Sequence, residues 1–159
     1  HFQNTCKGQQ IKIGLYYNDE LVEVMTFGKP RYNRNFDYEL LRLCTKSGYS
    51  IVGGAERLFE YFTKNYNPIS IISYCDNAKF SGDVYERLGF VKAKDTQVSK
   101  HWWRNNIHIT NNLLNQRGYD QLFGTSFGKG TSNEKLMIDA GFVEVYDCGQ
   151  SRYEWKTHF

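Results

Sequence analysis

Apolar and polar positions alternate from Gln10 to Tyr17, with Ile11, Ile13 and Leu15 set against Lys12 and Gly14, and a second strand-like run extends from Leu21 to Phe27. Such a period of two predicts a pair of strands. Asn18-Asp19 between them supplies residues that tolerate the left-handed backbone of a tight hairpin. Gly28 to Phe36 is polar and basic and reads as a loop, and a third strand is expected over Tyr38 to Cys44. The period then changes. From Glu56 to Asn65, Leu58, Phe59 and Phe62 fall on one face and Arg57, Glu60 and Lys64 on the other, which predicts a helix lying against a sheet.

After Pro68 the run Ile69 to Tyr74 is almost wholly apolar or aromatic, as in a central strand, with Asp76 just past its end. Ser81 is placed to cap a short helix, Asp83 to Leu88, that Gly89 can close. From Lys100 the texture shifts towards Asn, Gln and Gly. Thr131-Ser132-Asn133-Glu134 has the pattern of a capping box for a helix ending at Ala140-Gly141. Val143 to Tyr146 and Arg152 to Trp155 are expected to pair as a hairpin around Cys148-Gly149-Gln150. Helix-Gly-Phe-Val occurs twice, at Leu88-Gly89-Phe90-Val91 and Ala140-Gly141-Phe142-Val143, a reused local solution without the period of a repeat architecture.

These elements describe a mixed α/β (α+β) chain, with a main domain over residues 1–99 and a small α+β extension over 100–159 packed on it. At 159 residues, 40% apolar and 16% aromatic, the chain can bury one such core. No apolar run approaches membrane-spanning length, so no membrane partner is expected. Cysteines 6, 44, 75 and 148 are far apart in sequence and match no zinc or disulfide spacing, which suits a reduced, intracellular protein. The first residue is His1, and we expect a fragment or processed chain with something missing upstream.

Candidate chemistry follows from local composition, because the net charge of +3 is mild. Lys29, Arg31, Arg34 and Arg42 crowd one window with Tyr32 and Phe36. Cations there can neutralise phosphates and aromatic rings can stack on exposed bases, so this loop is the candidate nucleic-acid surface. Lys129, in Gly128-Lys129-Gly130 ahead of a capped helix, is a further phosphate candidate, although the spacing from Gly124 is one residue short of a P-loop. Val52-Gly53-Gly54-Ala55 at the mouth of the first helix could seat a pyrophosphate on backbone amides. His101, Asn105 and His108 do not reproduce a nuclease His-Asn-His spacing. His108, between Ile107 and Ile109, reads as a half-buried strand residue, and no metal site is expected.

Taken together, Val52 to Ala55 before a helix, Ser73-Tyr74-Cys75-Asp76 closing a strand, and Val84-Tyr85-Glu86-Arg87-Leu88-Gly89-Phe90 resemble the acyl-CoA N-acyltransferase (GNAT) superfamily over residues 10–95. The resemblance implies a mixed, mostly antiparallel central sheet flanked by helices. Asn18 to Lys29, Tyr38 to Thr45 and Tyr74 to Phe90 are similar to two phage-associated groups. One is the Mom-like adenine-modifying proteins. The other is the GNAT-like domain at the carboxyl end of phage homing-endonuclease-like proteins, where the likeness continues through residues 124–134 and 146–150.

That longer match implies a DNA-targeting accessory domain, with DNA and an upstream nuclease domain as partners, in the cytoplasm of a phage-infected bacterium. The alternative, implied by the likeness to the Mom-like group and to the superfamily at large, is a Mom-like or other N-acyltransferase acting on a nucleobase or other amine with acetyl-CoA or a related acyl donor. In that case Tyr85 donates a proton to the departing thiolate, Asp76 lines the pocket, and Val52, Gly53, Gly54 and Ala55 hold the cofactor. Ser50 stands where the superfamily's pyrophosphate motif opens with Gln or Arg, which tells against coenzyme A. The superfamily's usual first strand and helix are missing ahead of residue 10.

Overall fold

The computed structural model describes residues 8–110, 114, 116–123 and 133–157. The chain divides into two compact units, one of residues 1–96 with 150–159 and one of residues 97–149.

The first unit is built on a six-stranded sheet. Strands β1 (Gln9–Tyr17) and β2 (Glu20–Gly28) form the expected hairpin, with Asn18 and Asp19 at φ 48° and 61°. Paired positive φ values give a two-residue turn whose twist matches that of the strands. β2 then pairs with β3 (Tyr38–Thr45), and after helix α1 (Gly54–Tyr66) the chain enters β4 (Ser70–Asp76), parallel to β3. Helix α2 (Asp83–Arg87) and strand β5 (Val91–Asp95) follow. The spatial order is β1-β2-β3-β4-β9-β5, in which β9 (Gln150–Lys156) arrives from the far end of the sequence. The sheet is therefore mixed and mostly antiparallel, and the fold is α+β.

α1 lies against β1 and β2. Its apolar stripe, Leu58, Phe59 and Phe62, joins Met25, Phe27, Leu40, Ile71 and Phe90 in the core. Phe62 stacks on Phe27 with ring centroids 3.5 Å apart and meets Tyr38 edge-on. Glycine 82, not Ser81, holds the N-cap of α2, at φ 89°; the Ser81 hydroxyl stands 3.5 Å from the Asp83 N–H.

The expected hairpin of Val143–Tyr146 with Arg152–Trp155 does not form. β8 (Val143–Tyr146) pairs with β6 (Lys100–Arg104), while β9 runs antiparallel to both β4 and β5. The cause lies in β4, whose Ile71, Ile72 and Ser73 are fully buried and need ladder partners on both edges. β3 serves one edge over three residue pairs and β9 the other over seven. Gln150–Lys156, assigned to the extension from sequence, thus belongs to the sheet of the first unit.

The second unit has a three-stranded antiparallel sheet, β7-β6-β8, in which β6 turns back at Asn105 into β7 (Ile107–Thr110). With it go helices α3 (Gln116–Phe123) and α4 (Asn133–Asp139). Trp102, Ile109, Met137 and Phe142 make its core. The capping-box residues Thr131 and Ser132 lie outside the described residues. Among the described residues, no helix is long and apolar enough to cross a membrane.

Candidate functional site

The parallel pairing of β3 with β4 stops at Leu40↔Ser73, although both strands continue. A cleft of about 640 Å³ opens between Leu41–Cys44 on one side and Tyr74–Asp76 on the other. Residues 79–82 and α2 wall it off further, and Arg31 and Gln150 complete the lining. The volume falls in the range of small-ligand pockets.

Tyr85, on α2, lines this cleft. Its ring stacks on buried Tyr153 at 4.8 Å. Burial pushes the phenol above its ordinary pKa of 10, partly opposed by a hydrogen bond with Ser73, so the hydroxyl keeps its proton at neutral pH. Asp76 lines the cleft too, but its carboxylate is engaged in the turn after β4. Oδ1 accepts the Ala78 N–H at 3.0 Å and Oδ2 stands 3.5 Å from Lys79 Nζ. Cys75, buried beneath, has its thiol pushed up by burial, the opposite of what a nucleophilic cysteine needs.

The basic residues separate into two groups. Arg31 and Arg42 reach the cleft, where Lys79 and Arg87 join them against Asp76 and Asp83. Arg31 is tied to Glu39: Nε and Nη2 donate to Oε1 at 2.9 and 2.6 Å, and its backbone N–H donates to Oε2 at 2.7 Å. Glu39 is 1% exposed, so the guanidinium neutralises a buried charge. Lys29 and Arg34 are exposed on the loop outside the lining. Tyr32 is 75% exposed and meets Tyr74 edge-on at 5.8 Å, forming an aromatic rim. Lys129 lies outside the described residues. Lys79, Phe80 and Arg87 were not singled out from sequence. Their signal was spacing: Lys79 lies three residues after Asp76, and Arg87 two after Tyr85.

Val52, Gly53, Gly54 and Ala55 do not line the cleft. Gly53, at φ 70°, is the N-cap of α1 without any side-chain cap bond. Glu23 of β2, which is 5% exposed, lies against Gly54 in the first turn of the helix. Its Oε1 accepts the Thr45 hydroxyl at 2.8 Å, and Oε2 has no hydrogen-bond partner. A Cβ at Gly54 would lie 1.9 Å from Oε2, so only glycine allows this approach. At Gly53, by contrast, a Cβ would meet nothing within 4 Å, so the carboxylate lies against Gly54 alone.

Burial raises the pKa of Glu23 from 4.5, with Thr45 opposing and Glu56 adding to the rise. The folded chain therefore holds this proton more tightly than the unfolded chain does. Its contribution to stability is full below about pH 4.5 and is lost as pH rises through the raised value. Glu23→Gln is expected to melt above the wild type at neutral pH and to converge with it in acid. Equal melting temperatures at neutral pH would show the carboxylate to be hydrated.

No protein-family model and no curated protein matches this sequence.

Proposed function

We propose that the chain is a GNAT-like domain of phage type that engages DNA, as the targeting accessory domain of a homing-endonuclease-like protein. The observation that carries this reading is the cleft, where Arg42, Lys79 and Arg87 stand with Tyr74 and Phe80, rimmed by Tyr32. Cations along a groove neutralise backbone phosphates and aromatic rings take unstacked bases. The mixed sheet is of the kind the GNAT resemblance implies. An upstream nuclease domain, and a place in the cytoplasm of an infected bacterium, are parts of the same proposal.

A second reading, transfer to a nucleobase or other amine, is favoured by Tyr85, a phenol kept protonated on the cleft wall. Ser50, where the superfamily's pyrophosphate motif opens with Gln or Arg, weighs against it.

One titration separates the two: duplex DNA at two salt concentrations, with and without acetyl-CoA, on the wild type and on Arg34→Ala/Arg42→Ala. DNA binding is expected to fall with salt and to be indifferent to acetyl-CoA, and the variant's salt slope to flatten by roughly one unit for each phosphate it no longer neutralises. Salt-independent or absent DNA binding would reject the targeting role. Saturable acetyl-CoA binding would put the transferase first.

A further inference from the structure

β6 and β7 place Trp103 opposite His108 and His101 opposite Thr110, while Val145 and Val143 face His101 and Trp103 from β8. Directly opposed residues share a face, so His101, Trp103, His108, Val143 and Val145 lie together. Trp102 and Ile109 point the other way, into the core. No Lys or Arg of these strands projects from the His101 face.

His101 Nδ1 and His108 Nε2 stand 3.0 Å apart, with ring centroids 5.0 Å apart and the rings tilted by 31°. Both rings are held by other contacts. Trp103 stacks on His108 at 4.5 Å and 20°. His101 Nε2 is 3.3 Å from Asp147 Oδ2. Asp147 is itself anchored, since Oδ1 accepts the N–H groups of Ser99 at 2.7 Å and Gly149 at 2.9 Å. A carboxylate oxygen offers only lone pairs, and Oδ2 is the one that faces the ring. His101 Nε2 must then carry the hydrogen, which leaves the Nδ1 lone pair directed at His108.

We propose that His101 Nδ1 and His108 Nε2 form a chelating site for a divalent transition-metal ion, Zn²⁺, Ni²⁺ or Cu²⁺, with Asp147 as the carboxylate that orients the first imidazole. Two ring nitrogens each bound at about 2.0–2.1 Å, with an angle between a right angle and a tetrahedral one, are about 2.9–3.4 Å apart. The observed 3.0 Å needs no movement of the strands. A ligating His that donates its other N–H to a carboxylate is the usual outer-shell arrangement at such metals, and the anion favours a cation on this face. His108 serves in the tautomer that carries its hydrogen on Nδ1, which frees Nε2 to ligate. Among the described residues, no three His, Cys, Asp or Glu form a ligand group. The remaining positions therefore fall to water or to a donor atom from outside, as in an open site.

The inference does not rest on the DNA reading. Its test is calorimetric titration of the full chain with ZnCl₂ or NiCl₂, together with NMR of the His ring signals during Ni²⁺ addition. The wild type is expected to bind about one ion, with the His101 and His108 signals broadened first. Asp147→Asn should weaken binding roughly 10–100-fold, and His101→Ala/His108→Ala should abolish it. His101→Gln/His108→Gln serves where the alanine pair fails to fold, with circular dichroism reporting the fold. No uptake by the wild type, or unchanged uptake by a folded double variant with the ion at His1 or His158, would overturn the proposal.

Discussion

Gly82→Ala is expected to destabilise the first unit by about 3 kcal/mol and to distort the cleft with it. Two effects act together. Gly82 sits at φ 89°, ψ −1°, a backbone that an L side chain adopts at a cost of about 1 kcal/mol. A Cβ there would lie 2.1 Å from the Tyr153 hydroxyl oxygen and 2.7 Å from Cζ, closer than van der Waals contact permits. Tyr153 cannot swing aside, being 1% exposed and stacked on Tyr85, and forced overpacking of this kind costs about 1–3 kcal/mol. The measurement is urea unfolding of Gly82→Ala, of Tyr153→Phe and of the pair. Removing the hydroxyl takes away the nearest clash, so the double variant should lose less than the two single losses combined. Strict additivity would mean that the loop, not the ring, absorbs the change. Because Gly82 and Tyr85 both line the cleft, ligand binding should weaken with the stability.

How much of this was legible in the sequence depends on how local each interaction is. The first four strands and α1 were read to within two residues, since each carries its own period and Asn18-Asp19 names its turn. The helix at Asp83 was also legible, but its cap was not: Ser81 has the better cap chemistry, and Gly82 takes the position because Tyr153 approaches too closely for a side chain. That approach comes from residue 153, seventy-one positions away, and no window of sequence holds both. The misplacement of β9 has the same origin. Val143–Tyr146 and Arg152–Trp155 are spaced like a hairpin, and only the open second edge of β4 draws the last strand away. The turn at Asn105-Asn106 could have been read, because Asn before the apolar run of β7 is a hairpin signal. Arg31 and Arg42 were named by residue type, Tyr85 and Asp76 by the GNAT resemblance, and all four line one cleft. Glu23 and Glu39 were missed, because a carboxylate inside an otherwise apolar strand shows its role only through what lies across the sheet.

Glu39 leads to the second large effect, on Arg31. Arg31→Met is expected to destabilise the protein by about 2–3 kcal/mol, below the roughly 3–5 kcal/mol of a fully enclosed pair, because the Arg31 side chain is 46% exposed and water can reach the carboxylate once it leaves. The loss comes from stranding Glu39, which is 1% exposed, more than from the attraction itself. Adding Glu39→Gln should therefore recover much of it: the charge is gone, and the amide oxygen can still accept the residue 31 N–H that Oε2 takes in the wild type. Chemical unfolding of the two single variants and the double variant measures this coupling. A loss under about 0.5 kcal/mol for Arg31→Met would mean that the pair is no stronger than a surface ion pair and that Arg31 is available to a phosphate. The expected outcome assigns it the other role. An arginine committed to a buried carboxylate adds little positive potential to the cleft, so salt-dependent DNA binding should fall to Arg34, Arg42 and their neighbours. Weakened DNA binding by Arg31→Met should then follow the fraction of protein unfolded and leave the salt slope of the folded remainder unchanged.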